Sequence, residues 1–588
     1  MIQAFKDYAF REALDSEPGF SPKIAKWAIH CNLEGRYLGV LPLGDVEAKK
    51  VTGKPFLKCP DLSLPEMKTG GSGTRHFLID AASVVALFGK EAGSEKARVK
   101  HAFFVRILTE AAVEVSSLGP AAACLGDPLQ VETLRRDLEH QKAAETDNVT
   151  FLIEDEYPLE GDDWHDWWRT FRLRFSKPAD MSSDGKSMRC FLTGDLVKPV
   201  ATHEKIRGLS STGGLPMGDV LVGFKQESFC SFGLEQSANA AMSASAAKAY
   251  QAGLNDVIAK GQNLAGTRVA HWFRNRIAVE DDPYYLMLDP KEADLDARDR
   301  AKGLLESIRL GVRKDLAENS WYAVTLSGAA GRVMVRDWME GSFEQLLANV
   351  AAWFNDLSIV HPEGHGLARS PKFMAVLGST VRDLDDLASP LVSQMWRVAL
   401  RNEAIPSAAH AQALGRFRIS VITGDTPRVA GVALLKAFHI RTARKRQDQE
   451  NNMLDVVRPA LNPDHPSTAY QCGRLMAVLA RLQETALPGV KSGIVQRSYA
   501  AMSTTPALMI GRLIRTAQFH KDKLASDRPG LAAWYDRQLS EITTHIRDQP
   551  PSALTLEEQS LFAIGYYQQL AHRTEKKDEG VTNDQESL

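Results

Sequence analysis

Cysteine is scarce and scattered in this chain. Six thiols, Cys31, Cys59, Cys124, Cys190, Cys230 and Cys472, form no C-x-x-C pair. That spacing disfavours a zinc ribbon or a redox dithiol and reads as reduced, mostly buried thiols. Long apolar runs are missing too, and no segment approaches the roughly 20 residues a membrane span needs. Met1 to Asp15 has an amphipathic pattern of Ile2, Phe5, Tyr8 and Ala9 among charges, not the unbroken apolar core of a signal peptide, so a cytoplasmic protein is expected. An excess of one charge is also lacking: the formal net charge is -2. A free-standing nucleic-acid binder is usually basic, so any such binding must rest on local cationic patches or on partner subunits. Two nucleotide signatures fail as well. Gly89-Lys90-Glu91 puts a carboxylate where a P-loop needs Ser or Thr, and no third glycine follows Gly71 and Gly73 at the dinucleotide-binding spacing.

Ordinary globular material is present: 588 residues, 44% hydrophobic and 24% charged, enough for several large cores. The most informative stretch runs from Met67 to Phe77. It holds Lys68, Thr69, Gly70, Gly71, Ser72, Gly73, Thr74 and Arg75 with no acid among them. Glycine bares the backbone N–H groups, the hydroxyls add donors and two cations add charge, a combination suited to a phosphate backbone.

The pattern predicts an α+β protein: an irregular mixed N-terminal body with strands, then an all-α C-terminal helical bundle. We expect an α+β body over 1–342, a helical connecting region over 343–452 and a helical bundle over 453–588. Arg36 to Leu41, Phe171 to Phe175 and Val220 to Phe224 are β-prone, and Trp321 to Leu326 with Arg332 to Trp338 predict a hairpin around Ser327 to Gly331. Past Phe343 helical patterns take over. Cys472, Leu475, Met476, Leu479 and Leu482 form one apolar stripe, and Met509, Leu513 and Ala517 another. Leu531, Tyr535, Leu539, Ile542 and Ile546 make a third. Thr505-Pro506 reads as a capping hydroxyl with proline at the first helical position, and Thr555 with Glu558 as a capping box. Four such helices imply a small bundle. The tail from His572 is polar and expected to be disordered.

A second cationic segment starts at His203. Lys205 and Arg207 precede the glycine turn Thr212-Gly213-Gly214, and Lys225, Gln226 and Ser228 follow a predicted strand, a rigid place from which to project side chains. Lysine reaches phosphates and minor-groove acceptors, and glutamine can hydrogen-bond or wedge between bases. A basic cluster, Arg441, Arg444, Lys445 and Arg446, ends a predicted helix and reads as an exposed face able to meet RNA or a displaced strand. Asp162, Asp163, His165 and Asp166 offer a metal-dependent nuclease as the alternative function, but nothing else completes a two-metal site; surface acids beside Trp164, Trp167 and Trp168 packing on a core are the simpler reading. No catalytic residue, metal or cofactor is assigned.

Taken in order, HEKIRGL from His203, LVGFKQESFCSFG from Leu221, SASAAKAYQAGLNDVI from Ser243, LSGAAGRVMVRDWMEGSFEQLLANV from Leu326, AYQCGRLMAVLARLQ from Ala469, SYAAMSTTPALMIGRLIRTAQFH from Ser498 and LTLEEQSLFAIGYYQQ from Leu554 span most of the chain. This order resembles the large subunit of the type I-C CRISPR surveillance complex (Cascade). The resemblance implies a non-catalytic subunit of a ribonucleoprotein that recognises the protospacer-adjacent motif in double-stranded DNA, promotes duplex opening, holds the displaced strand and helps recruit a helicase-nuclease. Implied partners are the guide RNA, repeated backbone subunits, a guide-RNA-processing subunit and a small subunit made separately from an internal start, for which Met453 is suited. By analogy with other type I large subunits, Gly70 to Gly73 map to a glycine loop, Lys225 to a finger and Gln226 to a wedge. This chain reads Thr69-Gly70-Gly71-Ser72-Gly73 before Phe77-Leu78-Ile79-Asp80, where the family commonly has a Thr-Ser-Gly loop before Phe-Leu-Asp, which implies a longer or differently shaped loop.

Overall fold

Short β-branched and aromatic runs near the start of the chain become strands, as their side-chain shape favours. The computed structural model describes residues 1–14, 17, 19–44, 51–62, 77–90, 92–174, 187–224, 226–230, 232–288, 296–446, 457–490, 493–546 and 550–572. The fold is α+β, and no strand follows Ser342 among the described residues. Two units are present, one of residues 1–261 with 326–334, the other of 262–325 with 335–588.

In the first unit a four-stranded sheet runs in the order Tyr37–Pro42, Trp27–Cys31, Asn148–Ile153, Asp80–Ala81. Trp27–Cys31 lies parallel to Asn148–Ile153, with Ile29 opposite Phe151. A parallel pair needs a long crossover, and the helices Glu95–Glu114, Gly119–Gly126 and Pro128–His140 lie within it. Of the stretch Phe171 to Phe175, expected to extend, Phe171 to Leu173 instead close the helix His165–Leu173, and Phe175 lies outside the described residues. Its tryptophans decide this, because Trp164, Trp167, Trp168 and Phe171 gather at helical spacing around Phe77 and Phe20, and Trp168 Nε1 donates to the Gly19 carbonyl at 2.6 Å.

The helix Ala244–Lys260 begins with Ser243 accepting from the Ala246 N–H. It packs with Ile2–Arg11 through the buried Phe5, Tyr8 and Ala9, and Tyr8 donates to Asp256 at 2.6 Å. This helix is the floor on which the second cationic segment rests.

Strands Arg332–Ser342, Ser320–Ala329, Thr267–Phe273 and Gln262–Leu264 form a further sheet in that order, and the predicted hairpin is present with longer strands than expected. One apolar core runs from this sheet through Phe343–Leu357, Ser389–Arg401, Ser407–Thr423, Val429–Arg446 and the later helices to Ala571. The helices Thr468–Ala486 and Leu556–Ala571 are buried nearly all round, not on one stripe. Their polar residues are therefore satisfied internally: Arg474 donates to Gln569, Gln471 and Glu541 at 2.9 Å each, and Tyr470 donates to Gln568 at 2.5 Å. The Thr555–Glu558 capping box is formed. Thr505 does not cap its helix; its hydroxyl donates backward to the Ala501 carbonyl at 3.1 Å.

Candidate nucleic-acid interface

The glycine-rich loop Lys68, Thr69, Gly70, Gly71, Ser72, Gly73, Thr74 and Arg75 lies outside the described residues, as do Lys225 and Met453. The cationic segment from His203 is described and can be built upward.

Extended backbone turns alternate residues to opposite sides. Ile206 is fully buried, so Lys205 and Arg207 face outward, the first half-buried and the second exposed. Two residues one turn apart on the Ala244–Lys260 helix hold the backbone in place. Gln251 donates to the Lys205 carbonyl at 3.2 Å, and Asn255 accepts from the Arg207 N–H at 2.8 Å. Neither cation has an ion-pair partner among the described residues. His203 turns the other way, its Nδ1 2.8 Å from the Tyr250 hydroxyl, and burial lowers its pKa to about 4.

Beyond Arg207 the chain closes on itself through paired backbone hydrogen bonds of 2.8 Å between Ile206 and Asp219. The buried Asp219 carboxylate accepts from the Leu215 N–H at 3.1 Å and 3.3 Å. The glycine turn inside this loop is no phosphate cradle. A Cβ on Gly213 would lie 2.8 Å from the Gly328 carbonyl oxygen, so these glycines are used by the hairpin tip instead.

The predicted strand Val220 to Phe224 is absent. Val220 makes one bridge, donating to the Gly331 carbonyl at 2.8 Å and accepting from the Val333 N–H at 3.0 Å, and then the chain bends. A strand persists only where a neighbour continues the ladder, and none is paired with 221–224 among the described residues. Gln226 and Ser228 therefore stand on an exposed 3-10 turn, Glu227–Phe229, and not at a strand end. Aromatic rings that composition did not flag share this stretch. Phe229 is 43% exposed and edge-on to Phe224, and Phe232 is fully exposed at φ 52°. An apolar ring held in solvent beside polar donors suits base stacking.

The basic cluster at the end of Val429–Arg446 is not one exposed face. Arg441 is 2% exposed; its Nε donates to Asp356 Oδ2 at 2.8 Å, its guanidinium lies 5.3 Å from the Trp353 ring centre, and Nη1 donates to the carbonyls of Val398 and Glu403. Asp356, buried near the end of the helix Phe343–Leu357, draws it inward. Arg444 forks onto the same carboxylate at 3.0 Å and 3.2 Å, Arg446 meets Glu557 at 3.3 Å, and Lys445 is exposed with no ion pair among the described residues. An Asp directly after the apolar-rich run Val350 to Phe354 and Asn355 was the available signal for this pairing.

Asp163 accepts from Ser117, Asp166 pairs with Arg169 at 2.5 Å, and His165 packs against Phe20 and Trp164. Among the described residues no group of three or more His, Cys, Asp or Glu could hold a metal ion, and no helix is long and apolar enough to cross a membrane. All six cysteines are free, five buried and Cys230 exposed.

No curated protein matches the chain. The family described as CRISPR-associated protein (Cas_Csd1) matches residues 8–574.

Proposed function

Because the chain belongs to the Cas_Csd1 family of CRISPR-associated proteins, we propose that it is the non-catalytic large subunit of a type I-C RNA-guided surveillance complex, acting in the cytoplasm. In this reading it recognises the protospacer-adjacent motif in double-stranded DNA, eases opening of the first base pairs, holds the displaced strand and helps recruit the helicase-nuclease. The observation that carries the reading is the Lys205–Arg207 pair: two outward cations without ion pairs among the described residues, their backbone fixed by Gln251 and Asn255. Cations on fixed backbone neutralise phosphates with little ordering cost and release counterions. Gln226 and Ser228, exposed beside Phe229 and Phe232, supply hydrogen bonding and a wedge at the opening step. The glycine loop Lys68 to Arg75 and the finger Lys225 complete the proposed DNA contact. Guide pairing then reads most of the target. The near-neutral net charge fits an assembly in which backbone and guide-RNA-processing subunits carry much of the cationic surface, and a separately made small subunit starts at Met453.

Gel shift of the assembled complex on duplexes with and without the motif tests this. Binding that ignores motif identity overturns the recognition role. Cleavage of DNA by the purified chain with Mg²⁺ or Mn²⁺, lost on Asp163→Ala, overturns the non-catalytic assignment.

A further inference from the structure

In the second unit, the turn after Ser389–Arg401 and the last turns of Val429–Arg446 enclose a concavity of about 510 Å³, lined by Asn402, Glu403, Ala404, Arg441, Arg444 and Lys445. Its charge does not balance. Buried Asp356 is shared by Arg441 and Arg444, and the nearby Lys436 is buried too, its pKa lowered to about 8 by burial while Asp356 pulls it upward. Glu403 is engaged by Arg397 at 3.1 Å, and Lys445 adds a further exposed cation. Arg441 Nη2 is buried and has no hydrogen-bond partner among the described residues, although the other guanidinium nitrogens of that side chain are used. Buried donors are normally satisfied, so an orphan beside a cationic concavity marks a place for an acceptor. Asn402 adds to this. Its Oδ1 accepts from Arg444 at 3.1 Å, which leaves its amide N–H groups as donors.

We propose that this concavity is a phosphate site, in which Arg441, Arg444, Lys445 and the Asn402 amide grip one phosphate of a nucleic-acid backbone. Guanidinium forks match the oxygens of phosphate, and the ammonium adds a point charge. The concavity is larger than one phosphate group and leaves room for the flanking sugars. The site itself stands on geometry alone. Its assignment to nucleic acid rests on the surveillance-complex reading above, and guide RNA and displaced DNA strand share the chemistry.

The full chain is melted in inorganic phosphate and in chloride at matched ionic strength. A saturable, phosphate-specific rise in Tm is expected. Arg441→Lys, which keeps the charge but removes Nη2, and the surface change Lys445→Gln should each raise the half-saturating phosphate concentration about tenfold, as loss of one charge-assisted hydrogen bond predicts. No phosphate-specific rise, or a rise unchanged in Lys445→Gln, overturns the site. In the assembled complex, Lys445→Gln that loosens guide-RNA retention assigns the phosphate to RNA, and one that exposes only the displaced strand to permanganate assigns it to DNA. Neither effect, with the phosphate response intact, overturns the nucleic-acid assignment. Failure of motif recognition leaves the phosphate melts untouched, so the two ideas fail separately.

Discussion

Gly214 and Gly328 meet backbone to backbone: a Cβ on Gly328 would lie 2.1 Å from Gly214 Cα and 2.2 Å from its nitrogen. The loop that carries Lys205 and Arg207 and the tip of the Ser320–Ala329 hairpin therefore depend on each other's missing side chain. Next to this contact, Val220 exchanges hydrogen bonds with Gly331 and Val333.

Gly328→Ala should force these backbones apart and cost about 1–3 kcal/mol, the usual penalty for overpacking. Gly303, on the Ala297–Arg309 helix, has open space where a Cβ would go, so Gly303→Ala should stabilise by roughly 0.5–1 kcal/mol. Urea unfolding of both variants checks the pair. Equal stabilities would mean the contact carries no strain.

Removing Asp356 leaves the buried Arg441 without its counter-charge. Asp356→Ala should cost about 3–5 kcal/mol, as breaking a buried pair does. Adding Arg441→Met to that variant should recover part of the loss, because the uncompensated charge leaves with it. Denaturant midpoints of the single and double variants decide, and a double variant weaker than the single would contradict the account.

Replacing Lys205 and Arg207 together by Gln should weaken DNA binding by the assembled complex and lower its log-salt slope by about 0.9 per lost phosphate contact. Gln226→Ala should weaken target binding while leaving guide-RNA assembly intact. A titration series between low and high salt reads both effects. A slope identical to the parent's would place this segment away from DNA.

His410 stacks on Phe438 at 3.9 Å, its Nε2 has no hydrogen-bond partner among the described residues, and burial lowers its pKa to about 4. The unfolded chain therefore takes up protons first: as pH falls from about 6.5 toward 4, U binds more protons than N and stability drops. Below the folded pKa no further loss comes from this group. His410→Phe should flatten the stability profile across that window by roughly 1–3 kcal/mol between its ends. Unfolding curves at pH 7, 6 and 5 measure it, and an unchanged slope would assign the acid sensitivity elsewhere.

Much of the scaffold is legible in the sequence. The Thr555–Glu558 box, the hairpin between Trp321 and Trp338, and the stripe from Cys472 to Leu482 are local patterns whose partners lie within a few residues. Trp164, Trp167 and Trp168 imply a helix packed on the core while the run from Phe171 is β-prone, and the rings around Phe77 decide for helix through Leu173. The apolar stripe from Cys472 to Leu482 says nothing of the polar Gln471 and Arg474, and it is the fold that brings Gln569 and Glu541 to satisfy Arg474.

Composition and spacing alone determined that this chain is α+β, helical toward its end and close to neutral. Only the tertiary structure decided which charges remain available. Lys205 and Arg207 stay outward because Ile206 takes the core position between them, whereas Arg441 is drawn inward by Asp356, a residue 85 positions away. Helix and strand propensities act over a few residues, but the pairing and burial of a charge depend on neighbours that chain folding alone brings together.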